Sequence, residues 1–151
     1  MVAVSLRINK SEVYEEVAKT TSYTGAKMDD EHAYDRIFTT DEDKDMLERF
    51  WNESKNIICN NLKRLLDSEE ESDEGQYTLS LLLSNSFDGA LTGSMQRSLF
   101  SFFVMNITAK WYTFCNKEEA KGYASEAATY IEDIMRKAYF KKKPTRPTYN
   151  N

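Results

Sequence analysis

Hydrophobic and polar positions along this chain follow two rhythms, and the changes from one to the other mark its elements. Val2, Val4, Leu6 and Ile8 alternate with Ala3, Ser5 and Arg7, the period of two expected of a short strand or extended arm. Asn9 with Glu12 forms a capping box, and Val13 and Val17 share one face of the short helix that follows, ending near Gly25. Thr40 then precedes Asp41, Glu42 and Asp43, carboxylates suited to the positive end of a helix dipole. Leu47, Phe50, Trp51, Ser54, Ile57, Ile58, Leu62 and Leu65 recur at intervals of three and four, predicting a helix to about Leu66 with Glu48, Lys55 and Lys63 in water. Tyr77, Leu79, Leu81 and Leu83 return to a period of two. Open strand edges leave backbone groups unpaired, so at least one of the two strands is expected to join a sheet, within the chain or across subunits.

The segment Leu99 to Cys115 belongs to neither simple pattern, because twelve of its seventeen residues are apolar. At helical spacing Phe100, Phe103, Val104, Ile107, Trp111 and Phe114 make one broad face, while Phe102, Met105 and Ala109 make another. Such a helix needs cover on both sides, either as the centre of its own domain or by facing a second subunit as well. SNSFDGALTG supplies turn residues before it, so it should begin between Ala90 and Met95. Asn116 with Glu119 forms a further capping box. A narrow stripe of mostly small residues follows: Ala120, Ala124, Ala127, Ile131, Ile134, Met135 and Ala138. Leu47, Phe50, Trp51, Ile58, Phe103, Ile107, Trp111, Ile131 and Met135 are therefore expected to share one core.

Charge changes this picture at two places. Asp67 to Glu74 holds six acids in eight residues, and their mutual repulsion predicts a mobile, solvated loop between the second long helix and the second strand. Arg136 to Arg146 is a basic run, and the last segment, KKKPTRPTYNN, is an extended stretch expected to be ordered only if a partner holds it. The net charge of −5 gives solubility without naming a partner. Two cysteines, Cys59 and Cys115, are too few for a disulfide framework and read as packing residues in a reducing compartment. The N-terminus lacks the pattern of a signal peptide, and the uncharged stretch between Arg97 and Lys110 is shorter than a membrane span.

No catalytic constellation competes with these features. His32 lies in DDEH with Asp29, Asp30 and Glu31, but consecutive residues do not all point at one ion, and an acidic helix start explains the same letters. Asp41, Asp43 and Asp45 lack the central glycine and distal glutamate of a calcium loop. Gly89 and Gly93 lack the lysine of a phosphate-binding loop. The residues thus indicate no catalytic site, no metal and no cofactor. Lys137, Lys141, Lys142, Lys143 and Arg146, with Tyr139, Phe140 and Tyr149 nearby, suit either nucleic-acid phosphates and bases or acidic surface on a neighbouring subunit, and a solvated tail explains them as well.

Three stretches carry a resemblance over nearly the whole chain: SEVYEEVAKTTSYTGAK, IFTTDEDKDMLERFWNESKNI and KWYTFCNKEEAKGYASEAATYIEDIMRKAYFKKKPTRP. In texture and element order the chain resembles small proteins from the structural modules of phages and prophages of Bacteroides-type bacteria, and is similar to the head-to-tail connector class of tailed phages. The resemblance implies a mainly α fold, a bundle of about four helices with a small β element, in one domain over residues 1–140 with a basic extended arm over 141–151. It implies a virion protein made in the host cytoplasm, with no membrane partner. That protein is a structural neck subunit in a homo-oligomeric, by resemblance twelvefold, ring between portal and tail, with DNA passing unrecognised through its lumen. It carries no catalytic residues. A tail-completion protein, or a cytoplasmic nucleic-acid-binding accessory protein using the basic arm, is the alternative. Phe102, Met105, Lys141, Lys142, Lys143 and Arg146 are the expected interface, and Asp67, Glu69, Glu70, Glu71, Asp73 and Glu74 an acidic loop facing the channel or a neighbour.

Overall fold

The structure is a computed structural model that describes residues 1–21, 40–115 and 117–144. Gly25, the Asp29 to His32 cluster, the Asn116 cap, Arg146 and Tyr149 lie outside the described residues. Strand β1 (Val2–Asn9) leads directly into helix α1 (Lys10–Thr21), with the Asn9 side chain accepting from the Ser11 backbone N–H at 2.9 Å. Helix α2 (Asp41–Asn61) starts where Thr40 predicts it: the Thr40 hydroxyl accepts from the Asp43 N–H at 3.1 Å, and three acids fill the first turn. It ends at Asn61 rather than near Leu66. The Leu65 and Leu66 amides both bond the Leu62 carbonyl in a turn, and Leu65 then accepts from Leu82 N–H.

The acidic run that follows is a strand, not a mobile loop. Strand β2 (Leu66–Glu71) forms a hairpin with β3 (Gln76–Leu83). Ser72 accepts from Gly75 N–H at 3.0 Å to close the turn, and Gly75 adopts φ +87°, a backbone region in which other residues are strained. The Gly75 carbonyl also accepts from Lys10 N–H, which pins the turn to the start of α1. β1 pairs with the other edge of β3, so the expected pair of strands sits in a three-stranded antiparallel sheet of order β1-β3-β2. Val4, Leu6, Ile8, Tyr77, Leu79, Leu81 and Leu83 all point to the buried face.

Helices α3 (Thr92–Cys115) and α4 (Lys117–Ala138) complete a fold that is mainly α with a small β element. α3 is central. Met95, Leu99, Phe103, Val104 and Ile107 are buried toward the sheet, α1 and α2. The second stripe, Ser98, Phe102, Met105 and Ala109, lies under α4: Ser98 donates to Asp133 at 2.7 Å and Tyr112 stacks on Tyr123 at 5.4 Å. Phe102, expected at a subunit interface, is 1 % exposed in this chain's own core, and Met105 is half-buried against it. Both sides of the helix are thus covered within the chain itself. Phe114, placed by periodicity on the packed face, is 64 % exposed although it stacks on Phe50. Ala124 is likewise exposed, whereas Ala120, Ala127, Ile134 and Ala138 are buried.

Six of the nine residues expected to share a core are buried, and Trp111, Ile131 and Met135 pack against it half-buried. Trp51 is the hub: its ring lies 4.8 Å from Phe103, 5.9 Å from Tyr77 and 6.1 Å from Tyr14, and it has no exposed surface. Trp51→Ala should cost about 3 to 5 kcal/mol in chemical denaturation, and Trp111→Ala clearly less, about 2 kcal/mol. Equal losses would show that burial does not set the difference.

Candidate functional site

The densest cluster of chemistry-bearing side chains lies between α2 and the hairpin, and it is built from the acidic run. Cross-strand partners share a face, so Glu69 opposite Leu79 and Glu71 opposite Tyr77 point toward α2, while Ser68 and Glu70 point outward. Glu71 accepts from Lys55 at 2.6 Å and from the Trp51 indole N–H at 3.0 Å, with Lys10 at 3.7 Å. Glu69 accepts from the Tyr77 hydroxyl and from the Cys59 thiol at 2.9 Å. Lys10 also bonds Glu48, which accepts in turn from the Tyr14 hydroxyl at 2.8 Å. Lys55, expected in water, is therefore drawn back over the Tyr77 ring at 5.8 Å.

The electrostatics of this cluster favour fixed protonation states. Burial works against charge on Glu69 and Glu71, but hydrogen bonds from Cys59 and Tyr77 to the first, and from Lys55 and Trp51 to the second, hold both carboxyls below their ordinary range. Burial, with the Glu69 carboxylate beside it, pushes the Cys59 thiol up to about 11. Burial raises Tyr77 as well, followed by its hydrogen bonds with Cys59 and Glu69. A thiol held protonated is a poor nucleophile and a poor metal ligand, so the arrangement joins α2 to the sheet and does not activate a side chain. Among the described residues no group of three or more His, Cys, Asp or Glu is placed to hold a metal ion. No described helix is long and apolar enough to cross a membrane.

A different surface lies at the far end of the sheet, where β1 begins and β3 ends. After α4 the chain turns back, and residues 140–142 pair with 86–88: Phe140 C=O accepts from Asp88 N–H at 3.3 Å, and Lys142 N–H donates to Ser86 C=O at 2.7 Å. The start of the basic arm is thus tied down within the chain, contrary to an arm ordered only by a partner; Arg146 lies outside the described residues. Beside this pairing runs a groove of about 670 Å³ lined by Met1, Leu65, Leu82, Phe87, Tyr139 and Phe140 among others. Met1, Tyr139 and Phe140, three of the five large hydrophobic residues that stand exposed among those described, gather here. Arg64 and Lys141 line it, the exposed Lys142 and Lys143 follow directly in the chain, and none of the four enters a described ion pair.

Of the expected site residues, then, the sheet divides the acids: Glu69 and Glu71 are spent on α2, Glu70 faces outward, Asp73 and Glu74 stand exposed at the turn, and Asp67 stands exposed at the start of β2. Lys141, Lys142 and Lys143 remain at the surface. The aromatic groove itself was not expected. Its one visible signal was Tyr139 and Phe140, apolar residues following the last position of the α4 stripe.

Two measurements check the cluster. A carboxyl whose folded pKa is depressed adds stability that is present above its unfolded value, about 4.3 for Glu, and lost as pH falls through the folded value. Glu71→Gln should therefore unfold at lower temperature than the native chain at pH 7, with the gap closing in acid; a gap independent of pH sinks the assignment. Iodoacetamide at pH 8, read by peptide mass spectrometry, should label Cys59 at least about tenfold more slowly in the folded than in the urea-unfolded chain. Equal rates would contradict the raised pKa.

Comparison of the chain with protein-family models, with curated proteins and with solved structures finds no match in any of the three.

Proposed function

We propose that this chain is a structural subunit of a phage neck, forming a ring that joins portal to tail and extends the DNA channel. The observation that carries the reading is the groove: an apolar surface, rimmed by cations with no described partner, at one end of a well-packed subunit. Contiguous exposed apolar surface of this kind marks a protein contact more often than solvent-facing decoration. The resemblance of the three long segments to phage structural proteins supplies the assembly, and the cluster of protonation-locked side chains is what a passive scaffold requires. A ring subunit needs a rigid body and an adhesive edge.

A second reading has one observation in its favour. Tyr139 and Phe140 stand exposed among Lys141, Lys142 and Lys143, an arrangement suited to stacking bases of a single strand while contacting phosphates. It would make the chain a nucleic-acid-binding accessory protein.

Negative-stain electron microscopy of the purified chain, alone and with its portal, separates the two. Closed rings of uniform diameter are expected. A monomer at all concentrations that binds single-stranded DNA, with affinity falling steeply as salt rises, would replace the first reading with the second.

A further inference from the structure

The groove and the outermost acids lie at opposite ends of one strand. β3 begins at Gln76, next to the Ser72–Gly75 turn, and ends at Leu83, beside the groove, so the seven steps between its first and last residues, at about 3.4 Å each, separate the two by roughly 24 Å. At the turn end a second cleft, of about 350 Å³, is lined by Glu15, Glu71, Ser72, Asp73 and Glu74 together with Lys10. The Lys10 charge is already committed to Glu48 and Glu71, which leaves the cleft mouth acidic. Asp73 and Glu74 are exposed and enter no described ion pair. Each subunit therefore presents a basic, aromatic-rimmed end and an acidic, recessed end.

We infer that the groove end of one copy, through Lys141, Lys142 and Lys143, docks on the Asp73–Glu74 end of a second copy. The occupant is a second copy because the chain itself carries the complementary charge, at a place the groove of the same molecule does not reach. Two different patches at opposite ends make a head-to-tail contact, which repeats until it closes a ring or runs on as a filament. Tyr139 and Phe140, flanking the cations, would be covered in the contact and so lose their exposure to water. The inference rests on the ring reading and names its contact.

Charge exchange tests it. The variants K141E/K142E/K143E and D73K/E74K change only exposed side chains, and circular dichroism melts should match the native chain. By sedimentation velocity the native chain should associate with rising concentration, and each variant alone should associate at least about tenfold more weakly, since it presents like charge at both ends of every contact. An equimolar mixture of the two should regain association, because each altered end then meets its complement on the other variant. A native chain that stays monomeric, or a mixture that fails to recover, overturns the contact. So does binding of a labelled single-stranded oligonucleotide that only the lysine variant loses, with no self-association in the native chain. Closed rings indifferent to both variants would overturn this contact while leaving the neck reading standing. Open chains that obey the charge exchange would uphold the contact and remove the ring.

Discussion

A helix of 24 residues with apolar side chains on opposite sides cannot be covered by one neighbour, and that constraint places every other element. The sheet, α1 and α2 take the side of Leu99, Phe103 and Ile107. α4 takes the side of Phe102 and Ala109, approaching closely because Ala120, Ala127 and Ala138 present little more than a methyl group. Two polar residues beside these stripes serve as fasteners. Asn106 donates to Ser54 at 2.7 Å, and Lys110 meets Glu53 at 3.0 Å, both joining α3 to α2. Among the described residues the Thr108 hydroxyl is the one buried side-chain polar group without a hydrogen-bond partner, which costs stability that a methyl in its place would not.

The junction of α2 with the hairpin works by a different force. β2 offers only Leu66 to the apolar interior, so its attachment depends on Glu69 and Glu71 finding donors. Such half-buried charges add little net stability, since desolvation offsets much of the attraction. They do fix the register of the strand. Sliding β2 by one residue would turn Glu70 toward Trp51 and Tyr77 and strip Lys55, Trp51 and Cys59 of their acceptor. Register here is set by hydrogen-bonded charge where β1 and β3 set theirs by apolar alternation.

How much of this was legible follows from which signals were local. The Thr40 cap, the alternation of β1 and β3, the start of α3 and the spacing of Leu47 to Ile58 each depend on residues close in sequence, and all four appear in the structure. The acidic run misled because its repulsion is local while its partners, Lys10, Lys55, Trp51 and Tyr77, arrive from other elements. Phe102 misled in a related way: its stripe was visible, but only the hairpin of α3 with α4 reveals that the chain itself covers it. The groove was illegible because its lining comes from Met1, the turn after α2, the end of β3 and the end of α4, four places that no periodicity connects.

The outer border of the sheet decides how copies of the chain are kept from merging. β2 is an edge strand whose free backbone groups would otherwise accept another strand, the route by which small sheets grow into aggregates. An identical strand laid along it would bring Asp67, Glu70 and their neighbours against like charges about 4.8 Å away, so the edge repels its own image. At the opposite border one backbone donor is already taken: the Arg7 amide of β1 donates to the Gln96 side chain at 3.0 Å. In the proposed contact between copies, recognition would therefore fall to side chains rather than to the β2 edge, and single charges would tune the choice of partner.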